Sequence, residues 1–311
     1  MTTSESGELV AEIERLKKEQ DALILAHNYQ NDEIQDIADI VGDSLALSRA
    51  AANAKSRTII FCGVHFMAES AAILSPEKTV ILPDETAGCP MAEMADAEEV
   101  LRWRKTYPNA VVVSYVNSTA AVKALSDYCC TSANAVKLAR NIPETEIIFL
   151  PDQNLGRYVA EQVPEKTFHI WPGYCITHHR VEPGEILQSK ALHPGALVLV
   201  HPECRTEVLK IADFVGSTSQ IIDYARTSSH STGVSEFIIG TEMGILHCLK
   251  KQNPDKLFYL ATPGLVCPNM KRITLPKVLA SLRNLTPVIT VAPEIRVKAK
   301  AALDKMLQYV N

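Results

Sequence analysis

LILAHNYQNDEIQDIADIVGDS from Leu23, VVVSYVNSTAAVKALSDYCCTS from Val111 and LVLVHPECRTEVLKIADFVGST from Leu197 align without a gap, so one pattern runs through the chain in three copies. Each copy opens on a short, almost wholly apolar run (23–26, 111–113, 197–200), as expected of a parallel strand covered on both faces. The next element reads as a helix, because Ile34, Ile37, Ala38 and Val41 are spaced i, i+3, i+4, i+7. Val122, Leu125 and Cys129 hold the matching places in the second copy, and Val208, Ile211, Ala212 and Val215 in the third. Further strands are expected at 58–61, 146–149 and 236–239, and again at 79–82, 167–171 and 257–260. Each copy then passes a shared Pro-x-Lys and closes on Cys89, Cys175 or Cys267.

Strands and helices in alternation imply an α/β protein built from three small α/β/α three-layer domains, each with a small parallel sheet and right-handed crossovers. Equivalent units joined head to tail can close about a pseudo-threefold axis, where equivalent loops meet. The expected division is 1–105, 106–191 and 192–285, with the tail 286–311 packing on the first unit. Helices introduce the units at ELVAEIERLKKE from Glu8, EEVLRWRK from Glu98 and PKVLASLRN from Pro276, the last leading into 288–291 as the start of an incomplete fourth copy. No Gly/Ser-rich or Pro-rich linker separates the copies, so they should pack tightly.

A chain of 311 residues has ample apolar content for real cores, and its net charge of −5 gives no basic field, which argues against nucleic acid or an anionic membrane as partner. The N-terminal stretch MTTSESGELVAEIERLKKEQ lacks the apolar core of a leader, and no run approaches the ~18 apolar residues of a membrane span. A cytoplasmic location is expected. Thiols stay reduced there, so the eight cysteines read as metal ligands, catalytic groups or small core residues rather than disulfides.

Ligand groups in a parallel sheet gather past the carboxyl ends of strands. After the first strand of each copy come His27-Asn28-Tyr29, Tyr115-Val116-Asn117 and His201-Pro202-Glu203. His27, Tyr115 and His201 are equivalent, as are Tyr29, Asn117 and Glu203. Gly42-Asp43-Ser44, Cys130-Thr131-Ser132 and Gly216-Ser217-Thr218 put a hydroxyl at one place in all three copies, suited to a carboxylate or phosphate or to capping a helix. Cys89, Cys175 and Cys267 recur at one loop, which makes them candidate ligands of a shared metal group. Cys89 and Cys267 precede Pro, as iron–sulfur ligands often do. Three thiolates on a 4Fe-4S cube leave one iron open as a Lewis acid. Cys62, Cys129 and Cys248 read as small core residues, and Cys204 stands next to Glu203. His178 and His179 read as an exposed loop pair, or as support for Cys175. G-x-G-x-x-G, Walker A and H-E-x-x-H motifs are absent.

AHNYQ at Ala26, GDSL at Gly42, Cys-Pro at Cys89, SYVNS at Ser114, HPEC at His201 and Cys-Pro at Cys267, in this order, make the chain resemble the quinolinate synthase family. The resemblance covers nearly the whole chain. It implies three α/β/α domains about a pseudo-threefold axis, with a 4Fe-4S cluster on Cys89, Cys175 and Cys267 at their junction. The implied reaction condenses iminosuccinate (iminoaspartate) with dihydroxyacetone phosphate to quinolinate, phosphate and two waters, in de novo NAD biosynthesis. An aspartate oxidase or aspartate dehydrogenase would supply the imine. The implied pocket holds His27, Ser44, Tyr115, Val116, Asn117, Ser132, His201, Pro202, Glu203 and Thr218, with Glu203, Tyr29, His201 and His27 as candidates for proton transfer. One departure is Met270, where some members carry a second cysteine. The competing readings are another open-cluster hydro-lyase of the aconitase type, and a non-catalytic α/β protein with a structural zinc on the three cysteines.

Overall fold

A computed structural model describes residues 3–309. The apolar runs become β1 (Ala22–His27), β2 (Ile40–Gly42), β3 (Thr58–Cys62) and β4 (Thr79–Ile81) in the first unit. The second holds β5 (Val111–Tyr115), β6 (Tyr128–Cys130), β7 (Glu146–Leu150) and β8 (Thr167–Ile170). In the third are β9 (Leu197–Val200), β10 (Phe214–Val215), β11 (Glu236–Gly240) and β12 (Leu257–Leu260). These form three four-stranded sheets, all parallel, with one shared order: β2-β1-β3-β4, β6-β5-β7-β8 and β10-β9-β11-β12. Ile24, Leu25, Ile59, Ile60 and Phe61 are almost wholly shielded from water. A side chain of that kind contributes about 1.5–3 kcal/mol on burial, so the central strands anchor each unit.

The helix expected over 34–41 and its two copies is shorter than the spacing implies. It ends at Ile37, Lys123 and Leu209, and Val41, Cys129 and Val215 lie instead on the edge strands β2, β6 and β10. An aspartate directly before each edge strand makes the break. Asp39, Asp127 and Asp213 accept the peptide N–H of Ile24, Val112 and Val198 on their carboxylates, each at 2.8 Å. Each also donates its own N–H to the carbonyl of that same residue, at 2.9 Å. A short acidic side chain that captures a strand donor offers the backbone an alternative to another helical turn. The shared Pro-x-Lys has a parallel explanation. Lys78 and Lys166 reach back to the carbonyls of Ala54 and Ile142, which close the helix ahead of the unit's third strand, where a cation is favoured, and Lys256 bonds the Ala225 carbonyl of the corresponding helix in the third unit.

The three seams between units join the same elements, as a pseudo-threefold ring requires. In each, the segment that follows a unit's first strand meets the helix that follows its neighbour's third strand. Gln35 Nε2 donates to the Gly244 carbonyl at 2.9 Å, joining first unit to third. The Ala120 N–H donates to Glu69 at 3.1 Å, joining second to first. Asn154 Nδ2 donates to the Glu203 carbonyl at 2.9 Å, joining second to third.

The helix Pro183–Leu192 introduces the third unit, in keeping with the expectation that a helix introduces each, with Glu185 accepting the Glu182 N–H at 2.9 Å. Segment 288–291 was expected to begin a fourth parallel copy, but it forms only a bridge, and an antiparallel one. Val288 lies opposite Ile81, and Ile289 N–H donates to the Val80 carbonyl at 2.8 Å, covering the free edge of β4. The helix Pro293–Gln308 then lies across first and second units, against the helix His65–Leu74, the helix Ala120–Lys123 and β6. Lys305 Nζ reaches the Asp127 carbonyl, and Asn134 Nδ2 reaches the Met306 carbonyl, both at 3.0 Å. Among the described residues no helix is long and apolar enough to cross a membrane.

Asp213→Ala leaves the Val198 N–H without its acceptor and should cost about 1–3 kcal/mol, with Asp213→Asn recovering most of it, read as a shift of the urea midpoint at constant slope. At Gly244 an added Cβ would stand 2.7 Å from Tyr29 Cα and 2.8 Å from its carbonyl carbon. Gly244→Ala should therefore displace the Tyr29 loop and lower both melting temperature and turnover. Gly184→Ala, whose Cβ meets nothing within 4 Å, should leave both intact.

Candidate functional site

The carboxyl ends of the strands open onto a cavity of about 260 Å³ lined by all three units. His27, Tyr29 and Ser44 come from the first, Tyr115, Asn117 and Ser132 from the second, and His201, Glu203 and Thr218 from the third. Cys89, Cys175 and Cys267 line the same space. Val116 and Pro202 do not: both are buried beside their neighbours, and Val116 belongs to the core beneath.

The two histidines are held alike. Tyr29 N–H donates to His27 Nδ1 at 3.1 Å, and Glu203 N–H donates to His201 Nδ1 at 3.3 Å. A backbone donor at Nδ1 assigns the proton to Nε2, so each ring offers the cavity an N–H. His201 Nε2 lies 3.2 Å from Ser132 Oγ. Burial pushes both rings down to about 3, so they stay neutral at physiological pH. Tyr29 hydroxyl sits 2.6 Å from Thr241 Oγ1 and 2.9 Å from Thr218 Oγ1. Burial raises the Tyr29 and Tyr115 phenols well above their ordinary values, which keeps their protons in place.

Glu203 is the acidic centre of this wall. Burial opposes its charge, but the adjacent imidazoles and the hydrogen bonds it accepts from His178 and Tyr115 hold the carboxyl below the usual range. Its Oε2 takes a bond from His178 Nδ1 at 2.8 Å, while His178 Nε2 meets Thr241 Oγ1 at 2.8 Å. A continuous chain Glu203–His178–Thr241–Tyr29 results. Glu203 Oε1 and Asn117 Oδ1 are buried without a partner, and both residues line the cavity. Unpaired buried acceptors are costly, so these two point to a ligand that brings donors.

All three thiols are raised by burial, Cys89 to about 12, with Glu203 among the charges that add to the effect at Cys89 and Cys175. Peptide N–H groups work the other way: those of Ala92 and Met91 at Cys89, His178 at Cys175, and Met270 and Asn269 at Cys267. Three thiolates in so dry a place need a strongly cationic partner, and a metal that displaces the thiol protons meets that need. Two buried acids brace the ligand loops: Asp152 accepts the Cys175 N–H at 2.9 Å, and Glu242 accepts the Cys267 N–H at 3.1 Å. Val64 holds the equivalent place in the first unit.

Among the described residues, the one set of three ligand atoms lying within 4.8 Å of one another is Cys175, His178 and Glu203. The three cysteine sulfurs are not such a set.

His178, read from the sequence as one of an exposed loop pair or as support for Cys175, is 2% exposed, and its Nδ1 lies 3.2 Å from Cys175 Sγ, in keeping with the second reading. His179 is half-buried against Tyr174. Thr241, Glu242 and Asp152 are not foreseen in the sequence, although the ends of the third strands align like those of the first and put both acids at one place. Cys204 packs in a small core and does not line the cavity.

The family described as quinolinate synthetase A protein matches residues 11–308. Quinolinate synthase of Caldicellulosiruptor bescii is 57% identical over 297 residues, 96% of this chain and 97% of that protein. The Geotalea uraniireducens quinolinate synthase is 55% identical over 300 residues, again 96% and 97%. That of Clostridium kluyveri is 54% identical over 299 residues, with the same coverage. Similarity of this depth along the whole ring, cavity included, means that the chain belongs to the quinolinate synthase family.

Proposed function

We propose that the protein acts as a cytoplasmic transferase of de novo NAD biosynthesis, condensing iminosuccinate with dihydroxyacetone phosphate to quinolinate, phosphate and two waters. The observation that supports this reading is one cavity combining three half-buried thiols with neutral donors and an unpaired carboxylate oxygen. Cys89, Cys175 and Cys267 would hold a 4Fe-4S cluster, with one iron left without a protein ligand. Such a group supplies Lewis acidity toward a hydroxyl or carboxylate.

The rest falls to the chain's own side chains. Both reactants are anions, and the protein carries a net charge of −5, so they must be held by local donors. His27 and His201 offer Nε2–H, and Ser44, Ser132 and Thr218 offer hydroxyls, all without charge. Asn117 Oδ1 accepts a reactant N–H or O–H. Glu203, ionised and with Oε1 free, removes the protons that enolisation and ring closure require. Tyr29, which keeps its proton, delivers one to a departing hydroxyl. An aspartate oxidase or dehydrogenase would supply the unstable imine.

Protein prepared without oxygen should be brown, contain iron and sulfide, and form quinolinate from the imine and the triose phosphate. A colourless zinc protein sinks the reading, and a brown one inactive on this pair but active on a small hydroxy acid favours the aconitase-type rival. Glu203→Gln should lower kcat by about 10²–10⁴-fold with iron and sulfide content unchanged. Normal turnover in that variant would remove Glu203 from its role.

A further inference from the structure

Lys123 ends the short helix Ala120–Lys123 and is wholly buried. Its ammonium donates to the Ser118 carbonyl and lies 5.4 Å from the centre of the Phe66 ring, a residue of the cavity wall. Among the described residues it has no carboxylate in ion-pair contact. Glu69, which attracts it from longer range, takes the Ala120 N–H instead. Burying a cation so poorly paired is expensive.

The repeat supplies an internal comparison. Gln35 occupies the equivalent position in the first unit, and its Nε2 donates to the Gln30 carbonyl, the counterpart of Ser118, at 3.0 Å. Leu209 occupies it in the third. An amide therefore suffices for the hydrogen bond, and one unit dispenses with it altogether. What Lys123 adds is charge. Cys175 and Cys267 each have a buried acid on their own peptide N–H, whereas Cys89 has Val64 in that place and lies within electrostatic reach of Lys123. Lys271 pairs with Glu242 beside Cys267, and Lys123 is the buried cation on the Cys89 side.

We infer that Lys123 is the fixed positive charge that offsets the thiolate-held group on its Cys89 side and raises that group's reduction potential. The inference rests on the cluster reading above. A nearby cation stabilises the more negative, reduced state, so its removal lowers the potential. Lys123 acts through the field and touches no reactant.

The test is a redox titration, followed by electron paramagnetic resonance, of the anaerobic full-length protein and its Lys123→Gln, Lys123→Met and Lys123→Arg variants, with iron and sulfide measured on each. Lys123→Gln, which keeps the bond to Ser118, should retain the cluster and titrate at a more negative potential. Lys123→Met should shift the same way, and Lys123→Arg should stay near the parent. A parental potential in Lys123→Gln overturns the inference. Should Lys123→Gln fail to hold iron and sulfide, retention by Lys123→Arg supports a role for charge, and failure of both variants makes the role structural and overturns it. A parent protein with neither iron nor sulfide refutes the cluster reading itself, and this inference falls with it.

Discussion

The site exists because one seam is made three times. Where the loop after a central strand leans on the neighbour's helix start, backbone approaches backbone, and at Gly244 the fit leaves no room for a Cβ. Repetition of that contact fixes the angle between units. It also turns the ends of β1, β5 and β9 toward a common space, so that His27, Tyr115 and His201 become neighbours although their strands lie in separate sheets.

Pseudo-symmetry then leaves room for division of labour. The position after the first strand is His, Tyr or His, and two residues on it is Tyr, Asn or Glu. Symmetry supplies the places, while each copy fills them with different chemistry. Burial makes those fillings distinct: it keeps the phenols protonated and the imidazoles neutral, whereas Glu203, flanked by His178 and His201, remains an anion. A cavity that keeps Glu203 charged beside neutral imidazoles and phenols discriminates between acid and base in a way that an exposed cluster of the same residues would not.

Much of this was legible from the alignment of the copies. The parallel strands follow from wholly apolar runs repeated in threes, and the common loop cysteines and the polar residues past the first strands from their equivalent places in the copies. The edge strands were not legible as strands, because Ile34, Ile37, Ala38 and Val41 satisfy a helical spacing by chance of number. The decisive residue was Asp39, whose carboxylate bonds a strand fifteen residues away in the chain. Periodicity weighs apolar side chains and is blind to such a bond. For His178 the sequence left an exposed and a supporting reading open, because its burial depends on a neighbouring unit's Thr241 and Glu203, which local sequence does not contain.

The helix Pro293–Gln308 has a consequence for the order of events in the cell. It is synthesised after all three sheets, yet Ala299, Ala302, Leu303 and Met306 are almost wholly shielded where it bridges the first and second units. Until that segment emerges from the ribosome, the two earliest units keep a bare apolar flank. The gap between them is sealed by translation's late product, and chaperones are the natural cover for that flank in the meantime.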